Sequence, residues 1–397
     1  MTNSKKRVLI FIAGLAVGEP LGGAERFGAD LACALRETAC EPILCAFWHR
    51  GVSSECRWVE YLTKKDVEVF FAADWPGQFS IPHYVRGLKN ITNYLQDRPV
   101  DVIHSNFQVG SVSALLLKKK LKAQAVVRTA HLPPNREWGM SLSGMICRQI
   151  FTKCLFPLLY DAEVGVSQAI VDSLNQRLAS RLTGRYALFI PNGINPSQFQ
   201  RVIDRYAKRL EFGISNDELI VGSVGRLTDQ KGYSFLIDAA SHVINCLPNV
   251  KFIIIGEGEQ GSRLRNRAKA LNLSDKIIFA GSRQDVASLY KIMDLFVLPS
   301  LWEGLPTVVL ESMASGVPVV ATDIPGTREL IQDGYTGWLV RPRDPLALAE
   351  AIVNALSSPL KRTEVAYKAL ETVVPRYSME HIASQYQALY VHLADSR

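Results

Sequence analysis

Short apolar runs alternate with amphipathic segments along most of this chain of 397 residues. The runs predict buried parallel strands, because strands covered on both faces read as continuous hydrophobic stretches. The segments between them carry apolar residues at helical spacing, as Phe27, Leu31 and Leu35 do within 24–35. Strands are predicted at 8–12, 43–48, 67–71, 100–104, 125–129, 161–167, 219–224, 252–255, 276–280, 294–298 and 317–322. Alternating strands and helices predict an α/β protein with parallel sheets and right-handed crossovers.

The chain is long enough for two domains at about 100–200 residues each. Pro191 and Gly193 follow the apolar run that ends at Ile190, and they are typical of a hinge. The sequence therefore predicts a first domain at 1–190 and a second domain that begins at 191.

The charge is unevenly distributed between these halves. Residues 1–190 hold 23 Lys and Arg against 16 Asp and Glu, whereas 191–397 hold 22 of each, so the first half carries the whole excess of +7. A basic half indicates an anionic partner, such as a membrane surface or a phosphate-bearing acceptor. No recognition motif or aromatic stripe accompanies the charge, so a nucleic-acid partner is not expected.

The seven cysteines are scattered, with no Cys-x2-Cys pair, which favours a reducing compartment and no metal site. Lys5 to Arg7 followed by Val8 to Val17 is similar to a signal peptide. A first buried strand is the favoured interpretation, because a glycine pair and an amphipathic helix follow at once. No stretch reaches the ~20 apolar residues of a membrane-spanning helix. A cytoplasmic location is expected, with peripheral attachment to the inner face of the plasma membrane as a further expectation.

Two glutamates, Glu303 and Glu311, flank the start of a predicted helix. Pro306 stands where the first helical position is expected, a favourable place for proline. Helical geometry would separate the glutamates by roughly 12 Å, too far to share a proton. The free N–H groups between them would form an anion site. A nucleotide-sugar, with hydroxyls on both sides of a diphosphate, fits this pattern, and two solvated glutamates are the alternative.

The spacing Glu303-x7-Glu311 resembles the E-x7-E signature of retaining glycosyltransferases of family 4, which have the GT-B fold. The resemblance implies two Rossmann-like domains facing across a cleft, the second at 191–375, with a C-terminal helix at 376–397 packing on the first. It also implies transfer of a hexose or N-acetylhexosamine from a nucleotide-sugar to a hydroxyl acceptor. Retention of anomeric configuration and independence of metals and cofactors follow from the same resemblance.

A second motif supports this assignment. Gly225-Arg226 ends a predicted strand, and Lys231-Gly232 follows five residues later, so that two cations could bind one diphosphate. The stretch resembles the GR…KG motif of the family. The resemblance assigns catalytic roles to Glu303, Arg226, Lys231 and His131. Glu303 would bind sugar hydroxyls and Glu311 the ribose.

The run from Gly256 to Gly261 matches G-x-G-x-x-G, the fingerprint of dinucleotide-binding proteins. That interpretation is rejected, because two glutamates inside the turn would repel a pyrophosphate and Asp275 precedes the next strand. In the family this turn adjoins the nucleotide, and Arg283 lies where the base is held. The resemblance therefore implies the following donor-binding residues: Gly22, Gly23, Arg226, Lys231, Glu257, Arg283, Glu303, Gly304, Leu305, Thr307, Val308 and Glu311.

In the first half, the phrase Gly22-Gly23-Ala24-Glu25 resembles the family loop that faces the donor phosphates. Glu25 and Arg26 would then lie near the acceptor or the sugar. His131 matches the histidine beside the donor sugar and would also touch the acceptor. His104, which also ends a predicted strand, is expected to be structural.

The predicted acceptor is a saccharide or a lipid-linked saccharide, made into surface polysaccharide or glycolipid. Trp138 to Tyr160 and the run Lys118 to Lys122 are candidate membrane-facing segments, although each is also typical of an ordinary helix. Uridine donors are expected before guanosine donors. Two alternatives stay open: a nucleotide-sugar epimerase of the same fold and a non-catalytic nucleotide-sugar-binding protein.

Overall fold

The computed structural model describes residues 5–15, 23–132 and 150–396. These form two compact units. The first unit comprises Met1–Gly193 and Met379–Arg397, and the second comprises Ile194–Ser378. Both boundaries lie a few residues beyond the positions 190 and 375 expected from the sequence.

The first unit is built on a parallel sheet of seven strands in the order β3-β2-β1-β4-β5-β6-β7. The strands are β1 (Lys6–Ile12), β2 (Cys40–His49), β3 (Glu68–Asp74), β4 (Val102–Ser105), β5 (Ala125–Ala130), β6 (Ala162–Gly165) and β7 (Leu188–Phe189). The helices are Gly23–Leu35, Ser53–Lys64, Ile81–Tyr94, Gln108–Lys120, Phe156–Leu159, Gln168–Asn175, Leu178–Thr183 and Met379–Asp395, with a π-helical turn at Phe151–Leu155. Apolar residues of both sheet faces form two buried clusters.

The helix Met379–Asp395 packs within the first unit through buried apolar and polar side chains. The hydroxyl of Tyr390 lies 2.7 Å from Nδ1 of His104, and the hydroxyl of Tyr386 lies 2.8 Å from Oγ1 of Thr129. That same Oγ1 lies 2.8 Å from Nε2 of His104. His104 is fully buried, so both of its ring nitrogens need these partners. The network gives His104 the structural role expected from the sequence.

His104 should make the stability of the protein depend on pH. Burial lowers its pKa to about 3, against about 6.5 in an unfolded chain. Between these two pH values the unfolded state binds the proton and the folded state does not. The contribution of His104 to the free energy of unfolding is therefore fully present above pH 6.5 and is lost as the pH falls. The loss should reach about 2 kcal/mol at pH 5. Urea denaturation at pH 7 and pH 5 measures it. The His104→Gln variant should lose about 2 kcal/mol less over this interval, and equal losses would contradict the prediction.

One predicted helix is divided in the structure. In the sequence, the helical spacing of the apolar residues 170, 174 and 178 predicts a single helix ending near Gly184, whereas the structure has two helices, Gln168–Asn175 and Leu178–Thr183. Between them Arg177 has an extended backbone, and its guanidinium pairs with buried Glu163 and donates to the carbonyl of Thr152 at 2.8 Å. A buried carboxylate needs such a partner, and this pairing overrides the helical periodicity.

The second unit has a parallel sheet of six strands in the order β10-β9-β8-β11-β12-β13. They are β8 (Leu219–Val224), β9 (Val250–Ile255), β10 (Ile277–Gly281), β11 (Leu295–Leu298), β12 (Val319–Thr322) and β13 (Trp338–Val340). The helices are Pro196–Phe199, Arg205–Leu210, Tyr233–Cys246, Gly261–Ala270, Val286–Ile292, Thr307–Ala314, Pro325–Arg328, Pro345–Ser357 and Pro359–Tyr377, with a 3₁₀ turn at Asp229–Lys231. From β8 to β10 successive strands are added on one side of β8, and from β11 to β13 they are added on its other side. Ligands of such sheets bind beyond the carboxyl ends of the strands at this switch point.

In the part of the chain that the structure describes, the two candidate membrane-facing segments contribute a short helix and the end of a longer one. Residues 138–149 of the first lie outside the described part of the chain, and the rest is the π-helical turn followed by Phe156–Leu159. Lys118 to Lys120 form the last turn of the helix Gln108–Lys120, and Lys118 pairs with Asp161 at 2.6 Å. Within the described residues, no helix is long and apolar enough to cross a membrane.

Candidate functional site

Glu303 lies in the loop between β11 and the helix Thr307–Ala314. Pro306 is the residue that precedes this helix, with an extended backbone at ψ 101°, and not its first helical residue as the sequence predicted. The helix therefore begins one residue later, and the N–H groups of Thr307 and Val308 belong to its first turn. Both residues are partly exposed, so a ligand can reach this helix start.

Three side chains hold the carboxylate of Glu303. The Nζ of Lys231 lies 2.6 Å from Oε1, and the hydroxyl of Ser300 donates to the same oxygen at 2.7 Å. The amide of Gln230 donates to Oε2 at 3.3 Å. The side chain of Glu303 is only 8% exposed, so these contacts replace most of its hydration. The structure thus brings together two residues, Lys231 and Glu303, that stand 72 positions apart.

Close backbone approach makes this contact possible. Gly232 has φ +65°, and a Cβ at this position would lie 2.1 Å from the carbonyl oxygen of Pro299. The neighbouring N–H of Leu301 donates to the carbonyl of Gln230 at 2.7 Å. A glycine is therefore required where the turn before the helix Tyr233–Cys246 meets the loop of Glu303.

The glycine-rich turn after β9 packs on the loop of Arg226 in the same way. Gly256 has φ +134°, and a Cβ there would lie 2.1 Å from the carbonyl oxygen of Gly225. The N–H of Leu227 donates to the carbonyl of Glu257 at 2.9 Å. The glycines therefore serve to pack two loops together. Arg226 itself is exposed at the end of β8.

Glu311 is buried in the helix Thr307–Ala314, with 3% of its surface exposed. The hydroxyl of Tyr290 donates to its Oε2 at 3.1 Å and lies 3.2 Å from the carbonyl oxygen of Val308. The sequence did not identify Tyr290, Ser300 or Gln230 as site residues. Gln230 could have been noticed as the neighbour of Lys231, but Tyr290 gave no signal, because it lies on another helix and reads as core.

Two predicted donor contacts have partners within the protein. Glu257 is exposed, and its Oε1 accepts from the N–H of Ser282 at 3.4 Å. The guanidinium of Arg283 donates twice to Asp285 at 2.8 Å, contacts Glu211 at 3.4 Å and lies over the ring of Phe212. This pairing lowers the pKa of the Asp285 carboxyl. A base contact by Arg283 stays a prediction.

The rejection of the dinucleotide fingerprint agrees with the positions of the strands. Asp275 precedes β10 (Ile277–Gly281) in the structure, whereas the acid that binds a ribose should follow that strand.

Gly304 and Leu305 are buried beside Glu303, and the carbonyl of Gly304 would lie 2.6 Å from a Cβ at Gly326. Contact of Gly304 and Leu305 with a donor stays a prediction.

In the first unit, His131 follows the end of β5, and its Nε2 lies 3.4 Å from Oδ1 of Asn106. The ring of Phe27 packs edge-on against it at 5.4 Å. Burial, together with the positive charge of Arg128, lowers the pKa of His131 to about 4. The imidazole is therefore neutral at pH 7, and it can donate or accept one hydrogen bond without carrying charge.

The predicted glycine loop is described only from Gly23, because Gly22 lies outside the described residues. Gly23 begins the helix Gly23–Leu35, and Glu25 lies in its first turn. Arg26 lies 3.6 Å from Asp30 along the same helix. These positions agree with a helix start that could face an anion, but their contact with an acceptor stays a prediction.

Two family models match this chain, one in each half. The model "Glycosyltransferase Family 4" matches residues 21–198, and the model "Glycosyl transferases group 1" matches residues 204–372. The chain belongs to the group 1 glycosyltransferases. It is therefore a transferase, and its two Rossmann-like units are those of the GT-B fold.

Relatives and solved structures agree with this assignment. A UDP-Gal:alpha-D-GlcNAc-diphosphoundecaprenol alpha-1,3-galactosyltransferase of Escherichia coli is 25% identical, covering 73% of this chain and 74% of its own. The lipopolysaccharide core biosynthesis mannosyltransferase LpsB of Rhizobium meliloti is 26% identical over 78% of this chain and 84% of its own. The structure of HepE from Anabaena, solved with UDP and glucose, matches 98% of this transferase and 100% of its own chain with a TM-score of 0.81 at 22% identity.

Proposed function

We propose that the protein transfers a hexose or N-acetylhexosamine from a nucleotide-sugar to a hydroxyl acceptor, with retention of anomeric configuration. The contact between Lys231 and Glu303 carries this proposal. In this contact, a cation that can bind a diphosphate lies beside a carboxylate that can bind sugar hydroxyls. The carboxylate belongs to the loop that leads into the accessible start of the helix Thr307–Ala314.

The leaving group of such a reaction is a nucleoside diphosphate, whose charge grows as the glycosidic bond breaks. Arg226, Lys231 and the N–H groups at the start of the helix Thr307–Ala314 would stabilise that charge. These groups suffice in principle, so we propose a reaction without a metal ion or cofactor. Glu303 would bind sugar hydroxyls, Glu311 would bind the ribose hydroxyls, and Gly23 would bring backbone N–H groups to the phosphates.

His131 is proposed to contact the sugar and the acceptor as a neutral imidazole. Its lowered pKa supports this role, since an uncharged ring can form a hydrogen bond with a sugar hydroxyl without attracting an anion. Glu25 and Arg26 would bind the acceptor near the start of the helix Gly23–Leu35.

The donor is proposed to be a UDP-sugar first and a GDP-sugar second. HepE of Anabaena has been solved with UDP-glucose, and the named relatives include a UDP-galactose transferase and a mannosyltransferase. The name of the Escherichia coli relative gives a saccharide linked to diphosphoundecaprenol as its acceptor, and the name of LpsB gives lipopolysaccharide core biosynthesis as its pathway. We accordingly propose a lipid-linked saccharide acceptor.

An exposed apolar surface in the first unit supports association with an anionic membrane. Eight of the 22 large apolar residues that are exposed in the described chain belong to it: Ile150, Leu158, Leu159, Leu178, Leu182, Tyr186, Leu188 and Phe189. Lys153, Arg181 and Arg185 are exposed among them, and the segments 150–160 and 176–189 contain no Asp or Glu. Apolar side chains interleaved with cations suit an anionic bilayer surface. Sedimentation with phosphatidylglycerol vesicles should retain the protein and release it at high salt.

Thermal unfolding with UDP, GDP and ADP, each with and without Mg²⁺, tests the nucleotide site. A ligand at 100 times its dissociation constant should stabilise the fold by about 2.7 kcal/mol. We expect one nucleotide to act without Mg²⁺, and we expect its effect to disappear in Arg226→Ala and Glu311→Ala. If no nucleotide shifts the transition, the proposed donor site is wrong. Conversion of the donor sugar without an acceptor would instead indicate an epimerase.

A further inference from the structure

We propose that Gln230 and Ser300 are positioning residues, which hold the Glu303 carboxylate for the donor sugar while Lys231 binds the diphosphate. The inference rests on the proposed function and adds two residues to it. Neither side chain is needed to explain the ion pair, because Lys231 alone would neutralise Glu303. Their convergence on the same carboxylate therefore needs a separate explanation.

The number of hydrogen bonds that Glu303 can accept gives this explanation. An ionised carboxylate has about four lone-pair sites. In this structure Lys231 and Ser300 occupy two sites on Oε1, and Gln230 occupies one on Oε2. A diphosphate would attract Lys231 more strongly than a single carboxylate does, since it carries more charge. Two sites then remain for sugar hydroxyls, one on each oxygen, which suits a pair of neighbouring hydroxyls.

If Ser300 and Gln230 were absent, Lys231 would be the only partner of Glu303, and Glu303 would lose it when the diphosphate attracts Lys231. A carboxylate with 8% exposure cannot regain its hydration, so it would turn towards solvent or draw Lys231 back. Ser300 and Gln230 prevent this, because both are neutral donors, which a diphosphate attracts less strongly than it attracts the Lys231 cation. They keep the carboxylate in one orientation throughout donor binding.

Both donors are themselves fixed. Ser300 is fully buried, and its carbonyl accepts from the hydroxyl of Thr322 at 2.5 Å. The amide nitrogen of Gln230 also donates to the carbonyl of Trp302 at 3.0 Å. Because its two neighbours are acceptors only, the nitrogen and not the oxygen of this amide must face Glu303. The side chain of Gln230 is thus held by the backbone that precedes Glu303 as well as by the Glu303 carboxylate.

The test compares the affinity for a nucleotide-sugar with that for its nucleotide. Titration calorimetry would use UDP, GDP, UDP-glucose, UDP-galactose, UDP-N-acetylglucosamine and GDP-mannose with the wild-type protein. The best nucleotide-sugar is then measured with Ser300→Ala and Gln230→Ala. We expect each variant to bind it about tenfold more weakly, the effect of one hydrogen bond to a charged group, and to bind the free nucleotide within about twofold of wild type.

Two further variants separate this role from a general loss of structure. Ser223→Ala removes another buried hydroxyl of the second unit, one that donates to the carbonyl of Val297 at 2.7 Å, and should change neither affinity. Lys231→Ala should weaken binding of the nucleotide and the nucleotide-sugar alike. Equal weakening of both ligands in Ser300→Ala and Gln230→Ala, or no change in either, would overturn the inference. Failure of all six compounds to bind the wild type would instead overturn the proposed donor site.

Discussion

Replacing Lys231 by alanine is expected to lower kcat about 10²- to 10³-fold, the effect of losing one preorganised group that stabilises developing charge. Lys231 would neutralise the departing diphosphate, and its removal also leaves Glu303, with 8% exposure, without its cation. The remaining carboxylate would then repel the phosphates. Steady-state rates with the donor found by nucleotide binding measure the effect.

Lys231→Arg is the matched variant for this prediction. It keeps the positive charge, but a planar fork replaces a compact ammonium group, so partial activity is expected. The result would argue against the proposed role if Lys231→Ala kept more than about half of the wild-type rate. Loss of activity together with a lower unfolding temperature would point to structure, and for this reason thermal unfolding is recorded for both variants.

Replacing Gly232 by alanine should lower the free energy of unfolding by about 3 kcal/mol or more. The left-handed φ of +65° disfavours any side chain, and the new Cβ would lie 2.1 Å from the carbonyl oxygen of Pro299. The two loops must then move apart, which also separates Lys231 from Glu303. Urea denaturation measures the stability, and nucleotide binding by the folded fraction measures the displacement of the loops.

Gly316 offers a control in the same unit. Its φ is +75°, but a Cβ at that position would meet no atom within 4 Å. Gly316→Ala should therefore show the backbone strain alone, about 1–2 kcal/mol, and should keep nucleotide binding. Similar losses of stability in the two variants would mean that the contact with Pro299 relaxes at little cost.

The sequence predicted the fold and the charged residues of the site because both leave local patterns. Apolar runs marked the central strands, whereas β7 and β13, with two and three residues, are too short to show a period. Arg226, Lys231, Glu303 and Glu311 carry charge at recognisable spacing.

Gln230, Ser300 and Tyr290 could not be predicted in the same way. Their contacts depend on how loops and helices that are distant in the sequence meet in the fold. Polar residues occur throughout the chain, so only the folded structure distinguishes the three that touch Glu303 or Glu311. The division of 168–183 into two helices was missed for a similar reason, since the buried partner of Arg177 lies on β6.

The arrangement of the two units along the chain bears on how the protein is synthesised. The first unit needs the helix Met379–Asp395 to cover its core and to pair with His104, yet residues 194–378, which form the second unit, are translated first. At about 5–20 residues per second, the ribosome needs roughly ten to forty seconds to produce that stretch. During this interval the sheet of the first unit exposes the apolar surface that the last helix will cover, while the second unit can already fold. The first unit therefore cannot complete its core until the chain beyond residue 378 has been made.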